Sequence, residues 1–120
     1  NNLWTPQVES LWIAEAIGKT VRELRTRFPK AKVLLLGILP TQHNADFPLR
    51  ARIKIINARL DRLDDGKTVR FLDIGPKFLE SDGTLSAEVM PDFVHPSAKG
   101  YAIWADTMQP LYDEMLRDTK

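Results

Sequence analysis

The sequence predicts an α/β domain in which a parallel sheet lies between layers of helix. Helical and strand periodicities alternate along the chain, in the order helix, strand, helix, strand, long loop, helix. The run Val33–Leu39 is apolar without alternation, as expected of a strand covered on both faces. Each linking helix is long enough for a right-handed crossover between parallel strands.

Thr5 and Pro6 read as a helix start, since Thr caps free N–H groups and Pro suits the first turn. Val8, Leu11, Trp12, Ile17, Val21, Leu24 and Phe28 follow at helical spacing, and Pro29 ends the pattern, so a helix is expected from about Pro6 to Arg27. The strand at Lys32–Leu39 is closed by Pro40. Thr41 to Phe47 is polar and reads as a loop. Pro48 opens a second helix whose core face is Leu49, Ile53, Ile56, Leu60 and Leu63, with Arg50, Arg52, Lys54 and Arg59 on its wet side. Asp64-Asp65-Gly66-Lys67 is a turn. Thr68–Ile74, rich in β-branched and aromatic residues, is a second strand. Gly75 to Pro96 is a long connector broken by glycine and proline, with one helical turn at Pro76–Leu79, and connectors of that length usually carry function. Ser97 caps a last helix bearing Tyr101, Trp104, Met108, Leu111, Tyr112 and Met115, in which Pro110 is a potential kink. Trp4, Trp12 and Trp104 are expected to pack in the core or against a further part of the domain.

Two strands are few for three amphipathic helices, because a sheet ordinarily holds ~4–6. The apolar run at Val33–Leu39 also reads as a central strand with neighbours on both sides. The expectation is therefore that residues 1–120 are the C-terminal part of one larger domain, whose missing strands precede Asn1.

Composition narrows the partners. Lys plus Arg number 17 and Asp plus Glu 16, a net charge of +1, so there is no electrostatic reason to expect nucleic acid or an anionic membrane. With no cysteine, thiol catalysis, disulfides and zinc–thiolate sites are excluded. The longest apolar run is far too short for a membrane span.

Only two histidines exist. His95 stands three residues after Asp92 in Met90-Pro91-Asp92-Phe93-Val94-His95-Pro96, on a loop before a helix, where ligands bind in α/β sheets. A carboxylate that accepts the Nδ1–H of an imidazole fixes its tautomer and stabilises the imidazolium formed when Nε2 takes a proton. The alternative for the pair is a turn cap beside a surface histidine. His43, on the loop after the first strand, is a candidate pocket-lining residue or a solvated loop histidine. Neither histidine has the helical partner or third ligand of a metal site, so no metal is expected.

Asp92-Phe93-Val94-His95-Pro96-Ser97-Ala98-Lys99-Gly100-Tyr101 resembles the last signature block of the SGNH (GDSL-type) hydrolases, D-x-x-H followed by a polar turn, Gly and Tyr. Asn1-Asn2 resembles the end of that family's G-x-N-D/N block, and the segments between follow in the family's order. The chain looks most like the branch of the platelet-activating-factor acetylhydrolase catalytic subunits and related bacterial esterases. The resemblance implies a three-layer α/β/α, flavodoxin-like fold. It also implies a serine esterase acting on short acyl esters such as acetyl esters, without a cofactor. His95 would be the general base, Asp92 its orienter, and Asn1 an oxyanion donor, a contribution worth about 3 kcal/mol per donor.

One departure stands out. The family's nucleophile is the Ser of a G-D-S block, and no such string occurs here; Ser10, Ser81, Ser86 and Ser97 all lie elsewhere. The nucleophile is thus expected upstream or on a complementary chain, with the 120 residues inactive alone. Oligomeric state, a homodimer included, and localisation stay open. The rival reading is a non-catalytic α/β binding module or a degenerate esterase.

Overall fold

Two short strands make the parallel pairing. In the computed structural model, which describes residues 2–5 and 8–117, β1 (Val33–Leu36) runs parallel to β2 (Val69–Leu72). Val33 lies opposite Val69 and Leu36 opposite Leu72. Alternate strand residues point to opposite faces, and this sorts the core into two halves. Leu35 and Phe71 pack with Ala14, Ile56 and Leu60 beneath α1 (Ser10–Arg27) and α2 (Pro48–Asp61). Leu36 and Leu72 pack on the other face with Ile74, Phe78, Leu85, Val89 and Met90, covered by Ile103 and Trp104 of α3 (Ala98–Arg117). The result is the three-layer α/β/α arrangement the sequence predicts.

Both strands are shorter than expected, for a reason visible at Asn57. The Gly37 N–H donates to the Leu72 carbonyl at 2.9 Å. One residue on, the buried Asn57 amide of α2 captures the backbone of Ile38, accepting from its N–H at 2.8 Å and donating to its carbonyl at 3.0 Å. A side chain thus replaces the next strand partner. Gly37 permits this approach, since a Cβ there would stand 3.1 Å from both Asn57 Nδ2 and Asp73 Oδ1.

The Asp64-Asp65 turn forms as expected. Asp65 Oδ1 accepts the N–H groups of Lys67, Thr68 and Val69 at 2.7–2.9 Å. Asp64 Oδ2 takes the N–H of Phe71 at 2.7 Å, which places a charged side chain on the outer edge of β2 and blunts it against pairing. Gly75–Phe78 is a 3-10 turn, close to the one expected at Pro76–Leu79. Ser97 caps α3, its Oγ accepting the Gly100 N–H at 3.2 Å, and Pro110 lies inside a helix that continues to Arg117.

Two expectations are corrected, the start of α1 and the exposure of Arg50. α1 begins at Ser10 rather than Pro6: Glu9 is extended, and the Arg52 guanidinium of α2 instead gathers the carbonyls of Leu3 and Val8 and the Ser10 hydroxyl. Pro6 itself lies outside the described residues. Of the three tryptophans expected in the core or against a further part of the domain, Trp104 packs in the core, while Trp4 and Trp12 are 47% and 60% exposed. Arg50, assigned to the wet side of α2, is 6% exposed, because backbone carbonyls of neighbouring loops converge on it.

Candidate active site

The loop between Glu88 and Ala98 is built to hold one turn. Val89 and Met90 are its buried anchors, 5% and 0% exposed. Ser97 closes the loop on itself: its N–H donates to the Val89 carbonyl at 2.8 Å and its hydroxyl to the Glu88 carbonyl at 2.5 Å. Between these ends Asp92 folds the backbone back on its own carboxylate. Oδ1 accepts the N–H groups of Val94 at 3.0 Å and His95 at 2.7 Å. Oδ2 meets Nδ1 of the His95 ring at 2.7 Å. Such a short polar side chain bonding the backbone two and three residues on is what Asp does well in turns.

The electrostatics follow from these bonds. The His95 N–H, then the His95 ring and the Val94 N–H, hold the Asp92 carboxyl well below the usual carboxylate range. An ionised Asp92 can only accept, so it selects the Nδ1–H tautomer and leaves Nε2 with its lone pair free. The imidazole is 79% exposed and the Asp92 side chain 57%. The pair can therefore take up and return a proton at a surface open to a reacting partner.

A second loop holds this turn in place. Phe93 has φ 59° and Gln42 φ 65°, both left-handed without being glycine, a conformation costing of order 1–3 kcal/mol at each residue. The two residues clasp one another, the Gln42 N–H donating to the Phe93 carbonyl at 3.1 Å. Thr41 Oγ1 donates to the same carbonyl at 2.7 Å. Arg50 fixes the second loop from beneath: Nε reaches the Thr41 carbonyl at 2.6 Å, Nη2 the Gln42 carbonyl at 2.9 Å, and Nη1 the Gly83 carbonyl at 3.2 Å. Burial lowers the guanidinium pKa; the cation is solvated by backbone dipoles in place of water.

His43 joins this hub. Its Nδ1 lies 2.9 Å from the Leu85 carbonyl, which fixes a proton on that nitrogen, and its ring packs on Phe93 with centroids 5.5 Å apart. Asn1 lies outside the described residues. Three of the four serines have other partners: Ser10 accepts from Arg52, Ser86 from the Glu88 N–H, and Ser97 caps α3. Ser81 sits exposed in the connector. Thr41, Arg50 and Asn57 were not singled out from the sequence. For Arg50 and Asn57 the one signal was a polar residue beside, or in register with, the apolar face of α2; Thr41, in the loop after β1, had none. A cavity of about 430 Å³, bordered by Ile38, Ile53, Asn57, Phe71 and Asp73, does not include Asp92 or His95. Among the described residues no group of three or more His, Asp or Glu side chains could hold a metal ion, and no helix is long and apolar enough to cross a membrane.

Comparison with known proteins gives the fold a lineage. The chain is 34% identical over 108 residues to the platelet-activating factor acetylhydrolase IB subunit alpha2 of Rattus norvegicus, covering 89% of this chain and 47% of that protein. The Homo sapiens protein of the same name is 33% identical over the same shares. The chain thus spans about half the length of the curated relatives it matches. Among solved structures, a GDSL-like lipase from Bacteroides thetaiotaomicron superposes with a TM-score of 0.73 at 20% identity, over 92% of this chain and 55% of that one, a likeness of fold. Residues 1–103 match the GDSL-like lipase/acylhydrolase family, a span that takes in the whole Asp92–His95 loop, and the chain belongs to that family.

Proposed function

We propose that the full-length protein is a serine esterase that cleaves short acyl esters, acetyl-like ones foremost, through an acyl-serine intermediate. The observation that carries this reading is the Asp92–His95 turn, with Nδ1 on a depressed carboxylate and the imidazole open to solvent. Family membership supplies the reaction class. The short acyl preference rests on the names of the alpha2 relatives.

In this mechanism His95 Nε2 removes the serine proton as the oxygen attacks the ester carbonyl. Asp92 stabilises the imidazolium that results. The imidazolium then protonates the departing alkoxide as the ester C–O bond breaks, leaving an acyl-serine. Water, activated by the same imidazole, releases the acid and regenerates the serine. Asn1 is proposed to donate its side-chain amide to the oxyanion at each tetrahedral stage. The nucleophile is proposed to come from outside residues 1–120, in keeping with the other commitments of Ser10, Ser86 and Ser97.

The test is hydrolysis of p-nitrophenyl acetate by the full-length protein. His95→Ala is expected to lower kcat by roughly 10³-fold or more, and Asp92→Asn by at least ~10²-fold, with KM little changed. Full activity in His95→Ala would remove the base from this reading. The rival, a non-catalytic binding module, draws on the openness of the pair to solvent; it predicts no turnover by the unaltered protein.

A further inference from the structure

We propose that Thr41, seated on Arg50, is a positioning residue that holds the His95 turn in its working geometry. The inference rests on the reading of His95 as the general base. Phe93 separates Asp92 from Val94 and His95, the two residues whose N–H groups return to the Asp92 carboxylate. Its left-handed backbone is the step that reverses the chain between them. A phenylalanine does not hold that conformation by itself. Its N–H donates to the Met90 carbonyl at 3.0 Å and its ring packs on His43, while its carbonyl, on the far side of the reversal, receives the Thr41 hydroxyl at 2.7 Å and the Gln42 N–H at 3.1 Å.

Thr41 in turn has little freedom. It is 8% exposed, and its own carbonyl receives Arg50 Nε at 2.6 Å. Gln42, also left-handed, is fixed by Nη2 of the same guanidinium. A chain of bonds therefore runs from Arg50, buried in the first turn of α2, through Thr41 and Gln42, to the one backbone unit on which the Asp92–His95 approach depends. Thr41 Oγ1 bonds the loop carbonyl and not the imidazole, so it acts through the turn. Without that hydroxyl, the loop relaxes toward right-handed conformers at Phe93, and His95 Nδ1 leaves the carboxylate. The fraction of molecules with a correctly oriented base falls, while groups that bind the ester elsewhere stay in place.

Full-length proteins carrying Thr41→Val, Thr41→Ser and His95→Ala separate the possibilities, assayed on p-nitrophenyl acetate below their melting temperatures and normalised to folded protein by circular dichroism. The valine variant keeps the shape and loses the donor; the serine variant keeps the donor. Thr41→Val is expected to lose roughly tenfold or more in kcat with KM within about twofold of the unaltered protein, and Thr41→Ser to recover most of that loss. A Thr41→Val protein within about twofold of normal kcat while His95→Ala is inactive would overturn this inference and leave the base assignment standing. Equal impairment of the serine and valine variants would overturn it too, since loss of the donor would not be the cause. An active His95→Ala protein would remove the base assignment, and the inference with it.

Discussion

Asp92 does three things with one carboxylate: it turns the backbone, receives the imidazole Nδ1, and stays charged at low pH because of the N–H groups aimed at it. An Asn at this position can still accept one N–H, but it cannot stabilise an imidazolium, which is why Asp92→Asn is expected to lower kcat. Asp65 illustrates the same chemistry away from the site. The Thr68 hydroxyl first, then the N–H groups of Val69 and Lys67, hold its carboxyl well below the usual range. A carboxyl depressed on folding contributes stability that is full above its unfolded pKa, about 3.9, and drains away as pH falls toward the folded value. Melting temperatures should thus be level near neutrality and fall on acidification below about pH 4. Asp65→Asn should melt lower at pH 7 and lose less on going to pH 3, as read by circular dichroism. An Asp65→Asn protein with the same acid sensitivity as the unaltered one would contradict this assignment.

At the scale of elements, α2 carries two loads. One stripe is core, with Ile56 and Leu60 at 0% and 1% exposure. Ile56→Ala should cost ~2–5 kcal/mol by denaturant titration, the usual penalty for emptying such a site. Beside that stripe, Arg50 and Asn57 bind the backbones of the segments that follow β1. The start of α3 is as tightly specified. A Cβ on Gly100 would lie 2.5 Å from the Val89 carbonyl oxygen and 2.9 Å from Pro96 Cβ. Gly100→Ala should therefore destabilise by ~1–3 kcal/mol, and it should depress esterase activity as well, because the segment it displaces carries His95. Normal stability and activity in that variant would show that the loop is looser than these contacts imply. The order of helices and strands was legible because it rests on periodicity, and the pairing of Asp92 with His95 because a carboxylate three residues before a histidine, on a loop leading into the last helix, suits a carboxylate–imidazole pair; the turn cap weighed against that pairing forms as well, on the same carboxylate. Arg50, Asn57 and Thr41 were not legible as buried groups. Polar side chains become cheap to bury only where carbonyls and N–H groups converge, and that convergence comes from chain segments distant in sequence. The helix expected from Pro6 begins later for a related reason, since Glu9 is extended and Arg52 takes up the carbonyls of Leu3 and Val8, which local propensity does not foresee.

The whole molecule is a slab, 42 × 33 × 19 Å, with a radius of gyration of 15.2 Å, against roughly 13.6 Å for a compact chain of this length. β1 bonds only β2 among the described residues. The apolar stripe of α1 continues into Leu24 and Phe28, which are 41% and 58% exposed. These features and the matched share of the relatives fit the proposal that the working site is completed by residues outside 1–120. The direct measurement is covalent labelling of the full-length protein with a fluorophosphonate, which reacts with a serine only when a base activates it, followed by mass spectrometry of the labelled peptide. A single label on a serine outside residues 1–120, lost in His95→Ala, is the predicted result. A label on Ser10, Ser81, Ser86 or Ser97, or labelling undiminished by His95→Ala, would contradict it.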